Sequence, residues 1–409
     1  MTTLDRTPLV HSADGHAYEP DDLFTSRLPE SLKPSATRRV CFESNGRFFS
    51  SAYMGMKSGE EAQYFITAER MLDGDGQPVD EDAQKRLHAL DVDGVGLEVL
   101  HPGPFPIYWT PDGELAMAQA RIYNDWLAET FLPIERFIPV AAVPLVDIEA
   151  SVAEIERVAS LGFRGFCLPI FISPYYWSAI YEPIWAAARD TGLVVTFHAA
   201  LGYDELGFGM MRQIGPLPDP SKSGPQVTAE RCYSGPEYGY HAQRLISTLV
   251  GAGICERYPD VMFVSAENNA NWLASLMGAM DKAYTLGAGQ ADKALVGIWD
   301  DNFDAEHQPL MTNLFADNER WPYQLRPSEY VRRQIRCTFM DDPVAVACRE
   351  VTGVETLLWS SDYPHPESTF PHSREVVDKL FKGVSEEDRA AITGGNLAKL
   401  YKVDLPVSV

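Results

Sequence analysis

Short apolar runs alternate with helical patterns along most of the chain. Eight runs are mostly apolar, as expected of parallel strands that are covered on both faces. They are Leu9–Ala13, Gly94–Leu100, Phe137–Val143, Gly165–Leu168, Leu193–Phe197, Val261–Ser265, Ile335–Phe339 and Thr356–Ser360. Helical patterns between them include Ala83–Leu90, Leu115–Phe131, Ile148–Leu161, Glu182–Thr191, Ala242–Tyr258, Asn269–Tyr284 and Val344–Val351. This alternation predicts an α/β fold, a closed (β/α)₈ barrel of the TIM type.

The spacing of these elements predicts one domain over residues 1–409. An open dinucleotide-binding sheet is disfavoured, because no GxGxxG follows a predicted strand and no GxxxxGK[ST] occurs. Three segments, at about 20–80, 200–240 and 287–333, are longer than strand–helix connections require. In a barrel the loops that follow strands gather at the C-terminal face, so these insertions are expected to form a cap there.

Ionisable side chains follow four of the predicted strands directly. They are Asp14 and His16 after the first strand, His198 after the fifth, Glu267 after the sixth, and Asp362 with His365 after the eighth. Catalytic residues of a barrel lie at these strand ends, so the side chains are expected to converge. Two imidazoles and three carboxylates suit Zn²⁺, Fe²⁺ or Mn²⁺. We therefore predict a divalent metal site with one or two ions, since three carboxylates exceed the need of one ion.

Each of these residues taken alone has a simpler interpretation. A histidine such as His198 is more often a hydrogen-bonded core residue, Asp14-Gly15 is more often a turn, and Glu267 suits the start of a helix. Asp362 before Tyr-Pro also resembles a turn. The metal site is predicted from the joint pattern, because chance would seldom mark the ends of four strands together.

Six segments connect the chain to a known family. They are Asp14–Pro20, Leu193–His198, Gly253–Val264, Pro327–Val331, Trp359–His365 and Gly395–Tyr401. With them the chain resembles the amidohydrolase superfamily, in particular its amidohydrolase-2 branch, which includes aminocarboxymuconate-semialdehyde decarboxylase and related aromatic-acid decarboxylases. The segments span the chain from end to end, and Ser-Asp-Tyr-Pro-His at the last strand is the most specific.

The resemblance implies a metal-bearing barrel with His16 and His198 as ligands, Asp14 in the first slot of the strand-1 motif, and Asp362 as the strand-8 carboxylate. Two departures stand out. The first motif is Asp-x-His, where the superfamily's best-known form is His-x-His, and Glu267 occupies a position where the decarboxylases present a histidine. No lysine lies near the end of the fourth strand to bridge two metals. Glu267 is a hypothetical bridge in its place.

Two reactions are compatible with this set of residues. In the first expectation, a metal-dependent hydrolase, metal-activated water attacks an amide, ester, lactone or thioester, and Asp362 accepts the proton. Glu267 and His365 complete the predicted catalytic residues, with a supporting role favoured for His365. The alternative is a non-oxidative decarboxylase of an aromatic or unsaturated acid. A barrel that only binds a ligand is the third hypothesis.

Aromatic loops suggest where a partly apolar small-molecule substrate would bind. The candidate contacts are Glu98, His101, Tyr108 and Trp109 around the second strand, and Tyr175, Tyr176 and Trp177 after the fourth. Packing at the barrel mouth is an equally good explanation of these residues. A homodimer is an expected assembly, because dimers are common among barrels that resemble this one.

The composition disfavours some classes of binding partner. The chain has 34 Lys and Arg residues and 58 Asp and Glu residues, so its formal net charge is 34 − 58 = −24. This negative charge disfavours binding to nucleic acid or to anionic membranes. The chain has no apolar run of about 18 residues and no apolar leader at its N-terminus. None of the six cysteines forms a CxxC pair. These features predict a cytoplasmic protein with reduced thiols.

Overall fold

The computed structural model describes residues 9–44, 47–53, 67–69, 82–103, 106–110, 112–202, 225–285, 321–365 and 367–406. Its strands are β1 (Val10–Ser12), β2 (His16–Ala17), β3 (Arg38–Ser44), β4 (Arg47–Tyr53), β5 (Thr67–Glu69), β6 (Val95–Pro102), β7 (Phe137–Ala142), β8 (Gly165–Phe171), β9 (Val194–Gly202), β10 (Phe263–Ala266), β11 (Ile335–Phe339) and β12 (Leu357–Trp359).

The helices of the described residues lie mostly between the strands. They are α1 (Leu23–Arg27), α2 (Ala83–Asp93), α3 (Pro106–Trp109), α4 (Gly113–Thr130), α5 (Ile148–Leu161), α6 (Glu182–Thr191), α7 (Pro225–Gly251), α8 (Ile254–Arg257), α9 (Leu273–Thr285), α10 (Pro327–Gln334), α11 (Pro343–Ala347), α12 (Arg349–Thr352), α13 (Ser373–Leu380), α14 (Glu386–Ala390) and α15 (Asn396–Tyr401). In this part of the chain, no helix combines the length and the apolar character needed to span a bilayer.

The main sheet is a parallel barrel. Its strands follow the order β1-β6-β7-β8-β9-β10-β11-β12, and β2 extends the first position by pairing with β6. The backbone joins the first and last strands: Ala13 N donates to Trp359 O at 3.0 Å, and His16 N donates to Tyr363 O at 2.9 Å. The predicted (β/α)₈ barrel is therefore confirmed. We call the contact between β1–β2 and the end of β12 the barrel seam.

Local sequence signals explain where the outer helices begin and end. Asp112 and Asp147 accept hydrogen bonds from backbone N–H groups of the first turns of α4 and α5, as helix caps do. Gly162 ends α5 with φ of 102°, a conformation that glycine adopts without steric cost. The barrel strands between such helices are buried along their length, as β6, β7 and β8 illustrate.

Some predicted boundaries differ from the structure. The helix predicted over Ala242–Tyr258 is two helices, α7 and α8, because the chain turns at Gly253 with φ of 69°. The helix predicted over Val344–Val351 is likewise divided into α11 and α12. Within the insertion predicted at 20–80, β3, β4 and β5 form a separate antiparallel sheet. Large parts of all three predicted insertions lie outside the described residues, so the cap and the single-domain division stay predictions.

Candidate metal centre

Six ionisable side chains meet at the C-terminal end of the barrel. They form two groups in which the candidate ligand atoms all lie within 4.8 Å of one another. The first group is Asp14, His16 and His198, and the second is His16, Glu267, Asp362 and His365. His16 belongs to both. The structure thus brings together all five residues predicted as metal ligands, and adds His365 to them.

The distances describe one connected cluster of these six side chains, which we call the donor cluster. His198 Nε2 lies 3.0 Å from Glu267 Oε2 and 3.7 Å from Asp14 Oδ1. His16 Nε2 lies 3.4 Å from Asp362 Oδ1. On the other side of Asp362, its Oδ2 lies 3.2 Å from His365 Nδ1. Asp362 therefore contacts two imidazoles, and their rings are stacked with centroids 4.3 Å apart.

Burial and neighbouring charge act in opposite directions on the pKa values of two of the three carboxyl groups. Burial alone would raise the pKa of Asp14, but the nearby imidazole of His101 brings it below its usual value. Burial opposes ionisation of Asp362 as well, yet His365 and His16 hold its pKa well below the usual range. For Glu267, burial and the negative charge of Asp362 raise the pKa. The site therefore concentrates negative charge where water cannot screen it.

The histidines respond to that negative charge. Burial would lower the pKa of His198, but the carboxylate of Glu267 raises it to about 9. Burial also opposes protonation of His365, and Asp362 nevertheless raises its pKa well above the usual value. His16 differs, because burial and the neighbouring His365 lower its pKa to about 3. The carboxylates thus favour positive charge on His198 and His365, as they would favour a bound cation.

This arrangement fits a divalent cation. Among the described residues, the buried Oδ1 atoms of Asp14 and Asp362 accept no hydrogen bond of good geometry. A divalent cation would be a suitable partner for such buried carboxylate oxygens, because it supplies positive charge without a bound proton. Mixed imidazole and carboxylate donors suit Zn²⁺, Fe²⁺ or Mn²⁺. Divided between the two groups, the predicted ligands Asp14, His16, His198, Glu267 and Asp362 are the residues that would hold a metal.

The backbone is strained at two of these positions. Glu267 and Asp362 have φ values of 57° and 59°, in the left-handed region that non-glycine residues seldom adopt. Glu267 directly follows β10 and Asp362 lies three residues beyond the end of β12, and the conformation turns both side chains into the cluster. Such strain is common at functional sites. Nothing in the local sequence of Glu267 indicates it.

A buried ion pair braces the barrel seam beneath the cluster. Arg86, on α2, donates to Glu98 Oε2 at 2.8 Å, and both side chains are fully buried. The same guanidinium donates to His16 O at 2.6 Å and to Tyr363 O at 3.0 Å. It therefore connects the backbone of His16 to that of the residue after Asp362. The sequence did not predict this role for Arg86, and Glu98 was predicted as a substrate contact.

The other candidate substrate contacts lie in different surroundings. His101 Nδ1 is 2.9 Å from Asp14 Oδ1, so His101 borders the donor cluster itself. The buried hydroxyls of Tyr108 and Tyr176 donate to the backbone carbonyls of Cys167 and Pro169.

Tyr175 is buried, whereas Trp177 has 65% of its surface exposed. The side chain of Trp109 lies outside the described residues. Substrate contact by any member of this predicted set stays a prediction.

A family model for amidohydrolases matches residues 77–403. The chain belongs to the amidohydrolase family. The resemblance expected from the sequence is therefore confirmed, and with it the assignment of this amidohydrolase to an enzyme superfamily.

Two characterised relatives are decarboxylases. The first is the decarboxylase orsB of Emericella nidulans, which is 26% identical over 225 residues. That match spans 53% of this chain and 63% of the length of orsB. The second is the gamma-resorcylate decarboxylase of Rhizobium sp. strain MTP-10005, which is 23% identical over 78% of this chain and 86% of its own length.

Solved structures share the fold of this amidohydrolase. The amidohydrolase map2389c from Mycobacterium avium subsp. paratuberculosis K-10 superposes with a TM-score of 0.70 at 19% identity, covering 97% of this chain and 99% of its own. A dihydroxybenzoic acid decarboxylase from Polaromonas sp. JS666, solved with bound manganese and the inhibitor 2-nitroresorcinol, has a TM-score of 0.56 at 19% identity. The coverage there is 97% of both chains.

Proposed function

We propose that this amidohydrolase is a metal-dependent, non-oxidative decarboxylase of an aromatic carboxylic acid. The observation that carries the proposal is the contact between Asp362 and His365 at 3.2 Å, inside the donor cluster. A carboxylate and an imidazole in contact can together hold and deliver the proton that decarboxylation requires, and this supports the proposal. The two decarboxylase relatives support the same reaction.

The reaction exchanges one bond for another. The bond between the ring carbon and the carboxylate breaks, carbon dioxide leaves, and the electron pair stays on the ring. A proton from the Asp362–His365 pair then forms the new C–H bond. Tyr18 supports this pair, because its hydroxyl lies 2.9 Å from His365 Nε2 and fixes the orientation of the ring.

The donor cluster would serve this reaction through one divalent ion. The chemistry supplied by a bound ion is electrostatic: it orients the substrate oxygens and stabilises the negative charge that develops on the ring. Mn²⁺ is the first candidate, since the decarboxylase of Polaromonas contains manganese. Hydrolysis has less support, because it is not the activity named for either of the two characterised relatives.

The test begins with metal content and continues with products. Protein purified without a chelator is analysed for metals beside a His198→Ala variant, which should lose the ion. The Mn²⁺-loaded enzyme is then incubated with 2,6-dihydroxybenzoate and related hydroxybenzoates, and with a matched panel of esters and amides. We expect carbon dioxide and the decarboxylated arene in equal amounts. Ester cleavage without carbon dioxide would restore the hydrolase hypothesis, and absence of metal from both proteins would overturn the metal centre.

A further inference from the structure

One uncharged side chain links two members of the donor cluster. Thr338, on β11, is fully buried. Its hydroxyl donates to Asp14 Oδ2 at 3.1 Å and accepts a hydrogen bond from the backbone N–H of Glu267 at 2.9 Å. A single oxygen atom thus connects the carboxylate that follows β1 to the backbone that follows β10.

The bond to Asp14 determines which way the carboxylate faces. With Oδ2 held by Thr338, Oδ1 lies 2.9 Å from His101 Nδ1 and 3.7 Å from His198 Nε2, and so it points into the cluster. Without the hydroxyl, Asp14 Oδ2 would lose this hydrogen bond at a fully buried position. Rotation of the carboxylate would then relieve the loss and turn Oδ1 away from the other donors.

The second bond acts on the strained backbone. Glu267 has φ of 57°, and its N–H donates to the threonine hydroxyl. Removing the acceptor would leave a poorly solvated N–H beside an unfavourable conformation, and both effects favour relaxation of the strand end. Because the side chain of Glu267 lies against His198, relaxation there would move a second donor.

We propose that Thr338 is a positioning residue of the metal centre, which holds Asp14 and Glu267 in the orientation that binds the ion. This inference rests on the metal centre of the proposed function and does not depend on the reaction assigned to it. Thr338 would act through Asp14 and Glu267, the two residues that its hydroxyl contacts. Its substitution should therefore change metal affinity in excess of any change in folding.

Four variants test the proposal. Thr338→Val removes the hydroxyl and keeps the shape, and Thr338→Ser keeps the hydroxyl. Thr338→Ala is the partner of the serine variant, since these two differ only in the oxygen atom. Thr356→Val is the control: Thr356 is also fully buried, its hydroxyl donates to Gly353 O at 2.8 Å, and it precedes β12 at the opposite end of the barrel.

The readout is the dissociation constant for Mn²⁺, measured by calorimetry on metal-stripped protein, together with denaturant unfolding of the metal-free proteins. We expect Thr338→Val and Thr338→Ala to weaken Mn²⁺ binding by about 10- to 100-fold, the usual effect of removing a partner of a metal ligand. Thr338→Ser and Thr356→Val should bind as the wild type does. The serine and alanine pair decides the question if the valine variant does not fold.

Equal affinity in the variants with and without the hydroxyl would overturn the role of Thr338 while leaving the metal centre intact. An equal loss in the Thr356→Val control would also overturn it, because the loss would then reflect general destabilisation. A wild type that binds no Mn²⁺ would overturn the metal centre and this inference together.

Discussion

The two ends of the barrel both bury polar side chains, but they use them differently. At the N-terminal end, Gln334 donates to the carbonyl groups of Tyr258 and Val261 ahead of β10. Asn396 similarly donates to two backbone carbonyls at the start of β12. At the C-terminal end, carboxylates and imidazoles contact one another. Buried groups that bind backbone stabilise the fold, whereas facing ionisable groups create a site that needs a ligand.

The comparison separates two kinds of mutational effect. A substitution at the N-terminal end should lower the free energy of unfolding and leave the reaction unchanged. A substitution in the donor cluster should lower the reaction rate and leave stability unchanged or increased, since functional sites are commonly less stable than the fold permits. At the barrel seam an ion pair also binds backbone carbonyl groups, so a substitution there should affect both stability and the reaction. It is the strictest test of the division between the two ends.

The largest effect is expected from Asp362→Asn. The rate of carbon dioxide release should fall by about 10⁴-fold, which is the upper end of the effect of a group that transfers a proton. The upper end is expected because Asp362 is also a predicted metal ligand. The thermal midpoint of the metal-free protein should change little. Asparagine also tolerates a positive φ, and the lost attraction to His365 is offset by the lost repulsion between Asp362 and the other two carboxylates. A variant that keeps about a tenth of the rate would refute this role for Asp362.

The next largest effect is expected from Arg86→Met at the barrel seam. It leaves Glu98 buried without its cation, and breaking a buried pair in this way typically costs about 3–5 kcal/mol of unfolding free energy. Activity should fall as well, because Arg86 also binds the backbone of His16. Denaturant unfolding and the rate are measured together. The control is the double variant that combines Arg86→Met with Glu98→Gln. Because it also removes the unpaired buried carboxylate, it should recover part of the lost unfolding free energy. If nothing is recovered, the loss does not come from the broken ion pair.

The smallest effect is expected from Gln334→Leu at the N-terminal end. The substitution removes the donor to two backbone carbonyls and should lower the free energy of unfolding by about 1–3 kcal/mol. Mn²⁺ affinity and the rate at a temperature where both proteins are folded should equal those of the wild type. A reduced rate under those conditions would break the division between the two ends.

The sequence was sufficient for features that are local. An apolar run followed by an ionisable residue identified Asp14, His198 and Glu267, because the C-terminal ends of parallel strands meet in any barrel. Thr338 and Arg86 left no such signal. Each acts on a partner far along the chain: 324 positions separate Thr338 from Asp14, and 277 separate Arg86 from Tyr363.

The sequence was not sufficient to choose the reaction. Hydrolysis and decarboxylation use the same donors at the same strand ends, so the residue types alone could not distinguish them. The placement of His101 was also beyond local reasoning. It follows an apolar strand and precedes an aromatic loop, which suggested a substrate contact; that its ring nitrogen lies 2.9 Å from Asp14 is visible only in the structure.

The conformation of Glu267 has a consequence for protein engineering. A glutamate with φ of 57° occupies a backbone geometry that glycine or asparagine adopts more readily, so Glu267→Gly or Glu267→Asn should relieve strain on the order of 1 kcal/mol. The same change would remove a carboxylate from the donor cluster. A designer who wants a more heat-resistant barrel would change this residue early, and a designer who wants a catalyst would have to keep it.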